Sequence, residues 1–277
     1  MPTTEIGALR KMITALDDSG TVQYQLPLGD FLLPLNDLIG SSITLNFNGV
    51  INCQHCGKRT KKSYSQGFCF PCMQKLAQCD MCILKPETCH YEQGTCREPQ
   101  WGEQHCFTSH FVYLANTSGV KVGITRHTQL PTRWIDQGAT QALPIFKVNT
   151  RLQSGLVEIA LTEFINDKTN WRTMLKENAQ DIDLKKIAAE LIPQIESSLE
   201  NIKLKYGAEA ITALQEQITH ISYPVTKFLT KINSFNLDKN PILSGLLLGI
   251  KGQYLIFEHG VINIRKFTSY NVSVDYN

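Results

Sequence analysis

Nine cysteines, all between Cys53 and Cys106, are the densest chemistry in this 277-residue sequence. They fall as Cys53-x2-Cys56, Cys69-x2-Cys72 and Cys79-x2-Cys82, then singly at Cys89, Cys96 and Cys106. A C-x2-C turn presents two thiolates to one edge of a tetrahedral ion, so two such turns complete the shell of a structural zinc. Cys53, Cys56, Cys69 and Cys72 are the expected ligands of a first zinc. They close a twelve-residue loop, and Gly57 follows the second ligand, where a zinc-ribbon knuckle wants positive φ. The later cysteines offer more donors than one ion needs, because His90, His105 and His110 lie among them. The first choice for a second zinc is Cys79, Cys82, Cys96 and Cys106, with Cys89 as the nearest substitute. A third ion, and an iron–sulfur cluster, which also takes four cysteines, stay open.

Charge is distributed unevenly around these ligands although the net value is only +2. From Ile51 to Cys79 there are Lys58, Arg59, Lys61, Lys62 and Lys75 and no acid, with Tyr64, Phe68 and Phe70 between them. From Gln104 to Val157 the sole acid is Asp136, against Lys121, Arg126, Arg133, Lys147 and Arg151. Basic stretches beside metal knuckles suit a nucleic-acid backbone, DNA or RNA, and Lys58, Arg59, Lys61, Lys62 and Arg126 are the candidate contacts. Lysine-rich loops of zinc modules also serve solubility alone. The first 20 residues carry Glu5, Arg10, Lys11, Asp17 and Asp18 and no apolar signal core, so reduced thiols in the cytoplasm are expected, not disulfides. The longest uncharged apolar stretch, Pro241 to Ile250, is half a membrane span.

A third reactive set follows the cysteines. Tyr113 ends the strand-like Phe111-Val112-Tyr113, Lys121 opens Lys121-Val122-Gly123-Ile124-Thr125, Arg133 comes next, and Glu158 lies early in a helical stretch that starts near Ser154. In this order, over residues 110–175, the chain resembles the GIY-YIG nuclease superfamily, in the branch whose second motif reads K-I-G or K-V-G. As a whole it resembles a bacterial cysteine-rich family of unknown function. The resemblance implies a hydrolytic centre in which Glu158 holds one magnesium or manganese ion. Tyr113 would position or deprotonate the attacking water, Arg133 would neutralise charge on the phosphate, and Asn170 would be the late core asparagine. Such chemistry is coherent: a phosphodiester needs an oriented nucleophile, cationic stabilisation of its oxygens and a metal for the leaving oxygen. The sequence departs from the pattern at Lys121, where the better-known branch has tyrosine, and at Gln137, where some members have histidine. Lys121 can serve as a phosphate-binding point charge or assist the base if burial lowers its pKa. A zinc adaptor that binds nucleic acid or ribonucleoprotein without cutting is the alternative, and a purely structural zinc protein a third.

Elements to position these groups are legible in the periodicity. Ile43, Leu45 and Phe47 alternate as a half-buried strand does, and Asn48-Gly49 is a hairpin signal just before the first knuckle. Four alternating segments between residues 245 and 276 are expected to pair with the N-terminal strands, closing a small barrel from both ends of the chain. Leu184, Ile187, Ala188, Leu191, Ile195, Leu199 and Ile202 recur at helical spacing behind Asp181 and Asp183, with an interruption at Pro193. A second helix is expected from Ala208 to Ile221. The fold class is α+β: a β-rich segment 1–50, a zinc-ribbon-like module 51–108, a three-layer α/β domain 109–178, a helical segment 179–222 and a β-rich segment 223–277.

Overall fold

In the computed structural model, which describes residues 3–277, strand β1 (Thr3–Ala8) is followed by an antiparallel meander of β2 (Ile13–Leu16), β3 (Val22–Leu28) and β4 (Phe31–Pro34). Val22, Tyr24 and Leu26 of β3 are buried while Gln23 and Gln25 are exposed, the period-two pattern of a strand with one face on the core. Strand β5 (Ser42–Ile51) buries Ile43, Leu45 and Ile51 and runs almost directly into Cys53. Asn48-Gly49 does not reverse the chain as a hairpin would. Gly49, at φ +80°, lies inside β5 where the register against the last strand shifts, so the extra residues are absorbed as a bulge.

Two short helices, α1 (Phe70–Lys75) and α2 (Pro99–His105), with 3-10 turns between them, follow the first knuckle; Cys69 immediately precedes α1 and Cys106 immediately follows α2. Then come β6 (His110–Asn116), β7 (Val120–Arg126), α3 (Thr132–Asp136), β8 (Gln141–Val148), α4 (Arg151–Thr162) and α5 (Trp171–Met174). Strand β6 lies between β7 and β8, antiparallel to both. Helix α4 starts at a reciprocal capping box between Thr150 and Gln153. Helices α6 (Leu184–Leu191) and α7 (Glu196–Tyr206) are separated by a 3-10 turn at Pro193, and the Asp183 carboxylate caps α6 by accepting from the Lys186 amide at 3.0 Å.

The expected helix over 208–221 does not form. A 3-10 turn leads into β9 (Ile211–Ala213) and then β10 (Thr219–His220), both antiparallel to β8. The outer edge of β8 offers unpaired backbone groups, and satisfying them outweighs a weak local helix preference. Strands β11 (Ile242–Lys251), β12 (Tyr254–Phe257), β13 (Gly260–Asn263) and β14 (Tyr270–Tyr276) complete a six-stranded sheet in the order β1-β14-β5-β11-β12-β13. The two ends of the chain do pair in one sheet, but it does not close into a barrel: β1 and β13 remain opposite edges among the described residues. Side chains from other layers, Tyr24 and Leu26 from β3 and Trp134 and Ile135 from α3, fill its inner face, so it has no need to curl onto itself.

The fold is α+β with a layered centre. One face of the β6–β7–β8 sheet packs Val112, Leu114, Val122 and Ile145 against Val157 and Leu161 of α4 and the apolar stripe of α6 and α7. The other face places Tyr113, Ala115 and Ala142 in the core shared with the terminal sheet. No helix is long and apolar enough among the described residues to cross a membrane.

Candidate functional site

The first cysteine set is assembled as its spacing demands. The sulfurs of Cys53, Cys56, Cys69 and Cys72 all lie within 4.8 Å of one another, and those of Cys56 and Cys69 are 3.7 Å apart. Four Zn–S bonds of about 2.3 Å directed to the corners of a tetrahedron put neighbouring sulfurs about 3.8 Å apart, so these four could hold a structural zinc. The knuckle is built by backbone: the Cys53 amide donates to the Lys58 carbonyl at 2.9 Å and the Gly57 amide to the Cys53 carbonyl at 2.8 Å, with Gly57 at φ +71°. Burial raises the Cys53 thiol, but amides of Cys56, Cys69 and His55 aimed at it outweigh that and bring it down to about 6. Burial and then the neighbouring thiols push Cys72 the other way, so a bound cation is what lets all four ionise.

The second cysteine set differs from the expectation. Cys79 is not among the residues that line the pocket of Cys82, Cys96 and Cys106. Asp80 is extended between two 3-10 turns, 77–79 and 81–83, so the backbone of this C-x2-C differs from that of the Cys53 knuckle. Cys79 packs against Cys53, Phe68, Cys69 and Leu76, and its thiol bonds to Ser65. Cys82, Cys89, Cys96 and Cys106 line one small pocket. The histidines have other occupations. His90 faces Asp80 (Nε2 to Oδ2, 3.3 Å) and shares a hydrogen bond with Thr95, His105 stacks on Trp101 at 4.2 Å, and buried His110 bonds the Thr108 carbonyl through Nδ1. Burial holds His110 down to about 4, hence neutral near pH 7.

Of the third set, Tyr113 and Lys121 lie on the sheet face that looks away from α4, whereas Glu158 is carried by α4 itself. Tyr113 of β6 pairs directly with Gly123 of β7, and Lys121, two residues from Gly123, projects to the same side. Gly123 is required here, since a Cβ at that position would stand 2.7 Å from the Tyr113 hydroxyl and ring carbon. Gly123→Ala should therefore displace the Tyr113 ring and cost about 1–3 kcal/mol, measured by chemical denaturation. The Tyr113 hydroxyl is hydrogen-bonded to Gln137 at 3.1 Å and to Arg133 of α3. Burial raises that phenol although Arg133 opposes it. Burial lowers Lys121 to about 8, assisted by Arg133, and its ammonium donates to the Asp167 carbonyl at 3.4 Å. Burial likewise lifts Glu158 to about 7, assisted by the Asp167 carboxylate and opposed by Arg133, Arg151 and Lys121.

Tyr113, Lys121, Arg133 and Glu158 thus share one electrostatic neighbourhood although they span residues 113–158. Asn170 has a local job: its side chain caps α5 by accepting from the Thr173 amide at 3.3 Å. Sequence reasoning gave no site role to Asp167, the second carboxylate, or to Arg151, half-buried and felt by both Glu158 and Cys106. Asp167 carried a signal, because it opens the polar run ending in Asn170 and Arg172. Lys58, Arg59, Lys61 and Lys62 are exposed on the knuckle loop, and Arg126 is half-buried at the end of β7.

Residues 40–272 match the model of a family described as "Protein of unknown function (DUF2797)". No curated protein and no solved structure matches the chain.

Proposed function

The chain belongs to the family whose model spans its residues 40–272. Since that family carries no described activity, we propose from the chain's own chemistry that it is a zinc-containing protein acting on nucleic acid, as a divalent-metal-dependent phosphodiesterase of GIY-YIG type. What supports the reading is that Tyr113, Lys121, Arg133 and Glu158 lie close enough to shift one another's titration, with Asp167 beside them. In this reading Glu158, with Asp167 near it, holds magnesium or manganese and leaves most of the shell to water and phosphate. Arg133 stabilises the developing phosphate charge. Tyr113, its phenol raised by burial, orients the water as a hydrogen-bonding group, and Lys121 at about 8 is matched to accept the proton near neutral pH. The ion supplies polarisation of the phosphate and of its leaving oxygen. The exposed Lys58, Arg59, Lys61 and Lys62 hold the backbone as point charges.

The deep burial of the Tyr113 hydroxyl and the raised Glu158 favour a second reading, a zinc adaptor that binds nucleic acid or ribonucleoprotein without cutting it. Wild type and Glu158→Ala are to be compared on branched, single-stranded and structured DNA and RNA with magnesium or manganese. Cleavage by the wild type alone, falling at least about a hundredfold in the variant, is the expected result. Equal cleavage by both removes Glu158 from the mechanism. Salt-sensitive binding without cleavage in either, weakened by neutralising Lys58, Arg59, Lys61 and Lys62, establishes the adaptor.

A further inference from the structure

A carboxylate oxygen of Asp80, the sulfur of Cys82 and a ring nitrogen of His90 lie within 4.8 Å of one another. All three residues line a cavity of about 20 Å³, room for one ion or one water, since a single water needs about 10–15 Å³. Hydrogen-bond accounting fixes which nitrogen of His90 is bare. The Thr95 hydroxyl has one proton and gives it to the His90 carbonyl at 3.2 Å, so at 2.8 Å it can only accept from Nδ1–H. In the neutral ring Nε2 then carries a lone pair, and it faces Oδ2 of the Asp80 carboxylate, another acceptor, at 3.3 Å. Two lone pairs this close need a cation between them, a proton or a metal ion. A proton draws imidazolium and carboxylate to about 2.7–2.9 Å, and Arg97 Nε meets the same oxygen at 2.8 Å. A metal ion holds them further apart: Zn–N and Zn–O bonds of about 2.0–2.1 Å at the tetrahedral angle put N and O about 3.3–3.4 Å from each other. We infer that Asp80, Cys82 and His90 ligate a single zinc-like divalent ion, separate from the site at Cys53, Cys56, Cys69 and Cys72, with another thiol of the same cavity in the fourth position.

The groups around these ligands hold them as metal ligands are held. Thr95 fixes the His90 ring and its tautomer from Nδ1, and the Met81 amide donates to the second Asp80 oxygen, Oδ1, at 2.6 Å. One carboxylate and two thiolates leave a divalent ion with a net charge of minus one, which the Arg97 guanidinium on Asp80 offsets. The same guanidinium donates to the Met73 carbonyl at 3.0 Å, tying this site to α1 and the first zinc set. Thiolate and imidazole donors select zinc over magnesium or manganese, so this ion is chemically unlike the one assigned to Glu158. The 80–90 segment gathered by the ion docks on α4. Gly155 leaves no room there for a side chain, since a Cβ would stand 2.6 Å from Pro86, and the Arg151 guanidinium bonds the Ile83 carbonyl. Glu158 follows Gly155 by three residues on that helix, so the ion braces the support on which Glu158 is carried.

The inference is independent of nuclease activity, because it is read as metal content without substrate. The full chain, loaded with zinc and freed of excess by dialysis, should hold two zinc ions by elemental analysis. His90→Ala and Cys82→Ala should each hold one, whereas Cys79→Ser and Glu158→Ala should keep both. A single zinc in the wild type, or two in His90→Ala, would overturn it, leaving His90 as an imidazolium partner of Asp80. Should the variants fail to accumulate, X-ray absorption at the zinc edge of the wild type decides: nitrogen or oxygen neighbours are expected beside sulfur, and a shell of sulfur alone would remove Asp80 and His90 from the site.

Discussion

Cys69→Ala should abolish zinc binding and melt the knuckle loop, the largest single loss of structure expected from any substitution in the chain. Only Cys53, Phe68, Cys69 and Leu76 form the buried cluster of this part of the module, far too little apolar surface to order the segment without its ion. Structural zinc contributes an apparent 10–16 kcal/mol, roughly, to folding of comparable small modules, and losing one of four ligands forfeits most of it. The effect should reach the terminal sheet at its β14 end. The Ser63 hydroxyl donates to the Thr268 carbonyl at 2.8 Å and the Ser269 hydroxyl to the Gly67 carbonyl at 2.9 Å, and Arg265 bonds Gln66. Hydrogen exchange is the measurement: protection of the Met73 and Leu76 amides should vanish in the variant and on chelation, while β6 to β8 stay protected. Unchanged protection would mean that the four sulfurs are not a structural metal site.

The second large effect concerns pH. Burial lifts Glu158 from 4.5 to about 7, so the folded chain binds more protons than the unfolded one between those values. Its contribution to the unfolding free energy therefore falls as pH rises from about 4.5 to about 7 and is constant above. The shift corresponds to roughly 3 kcal/mol, spread over several neighbouring charges. Glu158→Gln should flatten this slope and leave the chain more stable than wild type at pH 8, in denaturant titrations at several pH values. A divalent ion must displace the same proton, so magnesium or manganese affinity measured calorimetrically should weaken about tenfold per unit below pH 7. A slope identical in wild type and Glu158→Gln would show that this carboxyl is not perturbed.

Much of this was readable from residue types and much was not, for physical reasons. The first zinc set was legible because C-x2-C knuckles are local: the turn fixes both sulfurs. The later cysteines were less legible, since Cys79 and Cys82 have the same spacing but Asp80 is extended between them, and only tertiary placement puts Cys89 in one pocket with Cys82. Tyr113, Lys121, Arg133 and Glu158 were singled out from ordered motifs, whereas Asp167 was given no role because a loop carboxylate has no periodic signature. The order of α6 and α7 was visible in their apolar stripe. By contrast, Ile211 and Ile218 mimic a helical stripe, and their strands exist only because β8 presents an edge to them. A bulge and a hairpin use the same glycine conformation, so Asn48-Gly49 could not be told apart from a turn until β14 was seen to pair on both sides of it.

Strand β5 takes β14 on one side and β11 on the other, partners some 200 residues downstream, and β1 waits for β14 alone. During synthesis the N-terminal meander and cysteine module leave the ribosome with those edges bare, since chain emerges at about 5–20 residues per second and the partners arrive last. Closing such distant loops carries its entropy cost before any contact rewards it, so high contact order should make assembly of this sheet the slow step. Refolding of the whole chain is thus expected to be slower than that of the 110–206 region, and C-terminal truncation before Tyr270 to leave an aggregation-prone β5.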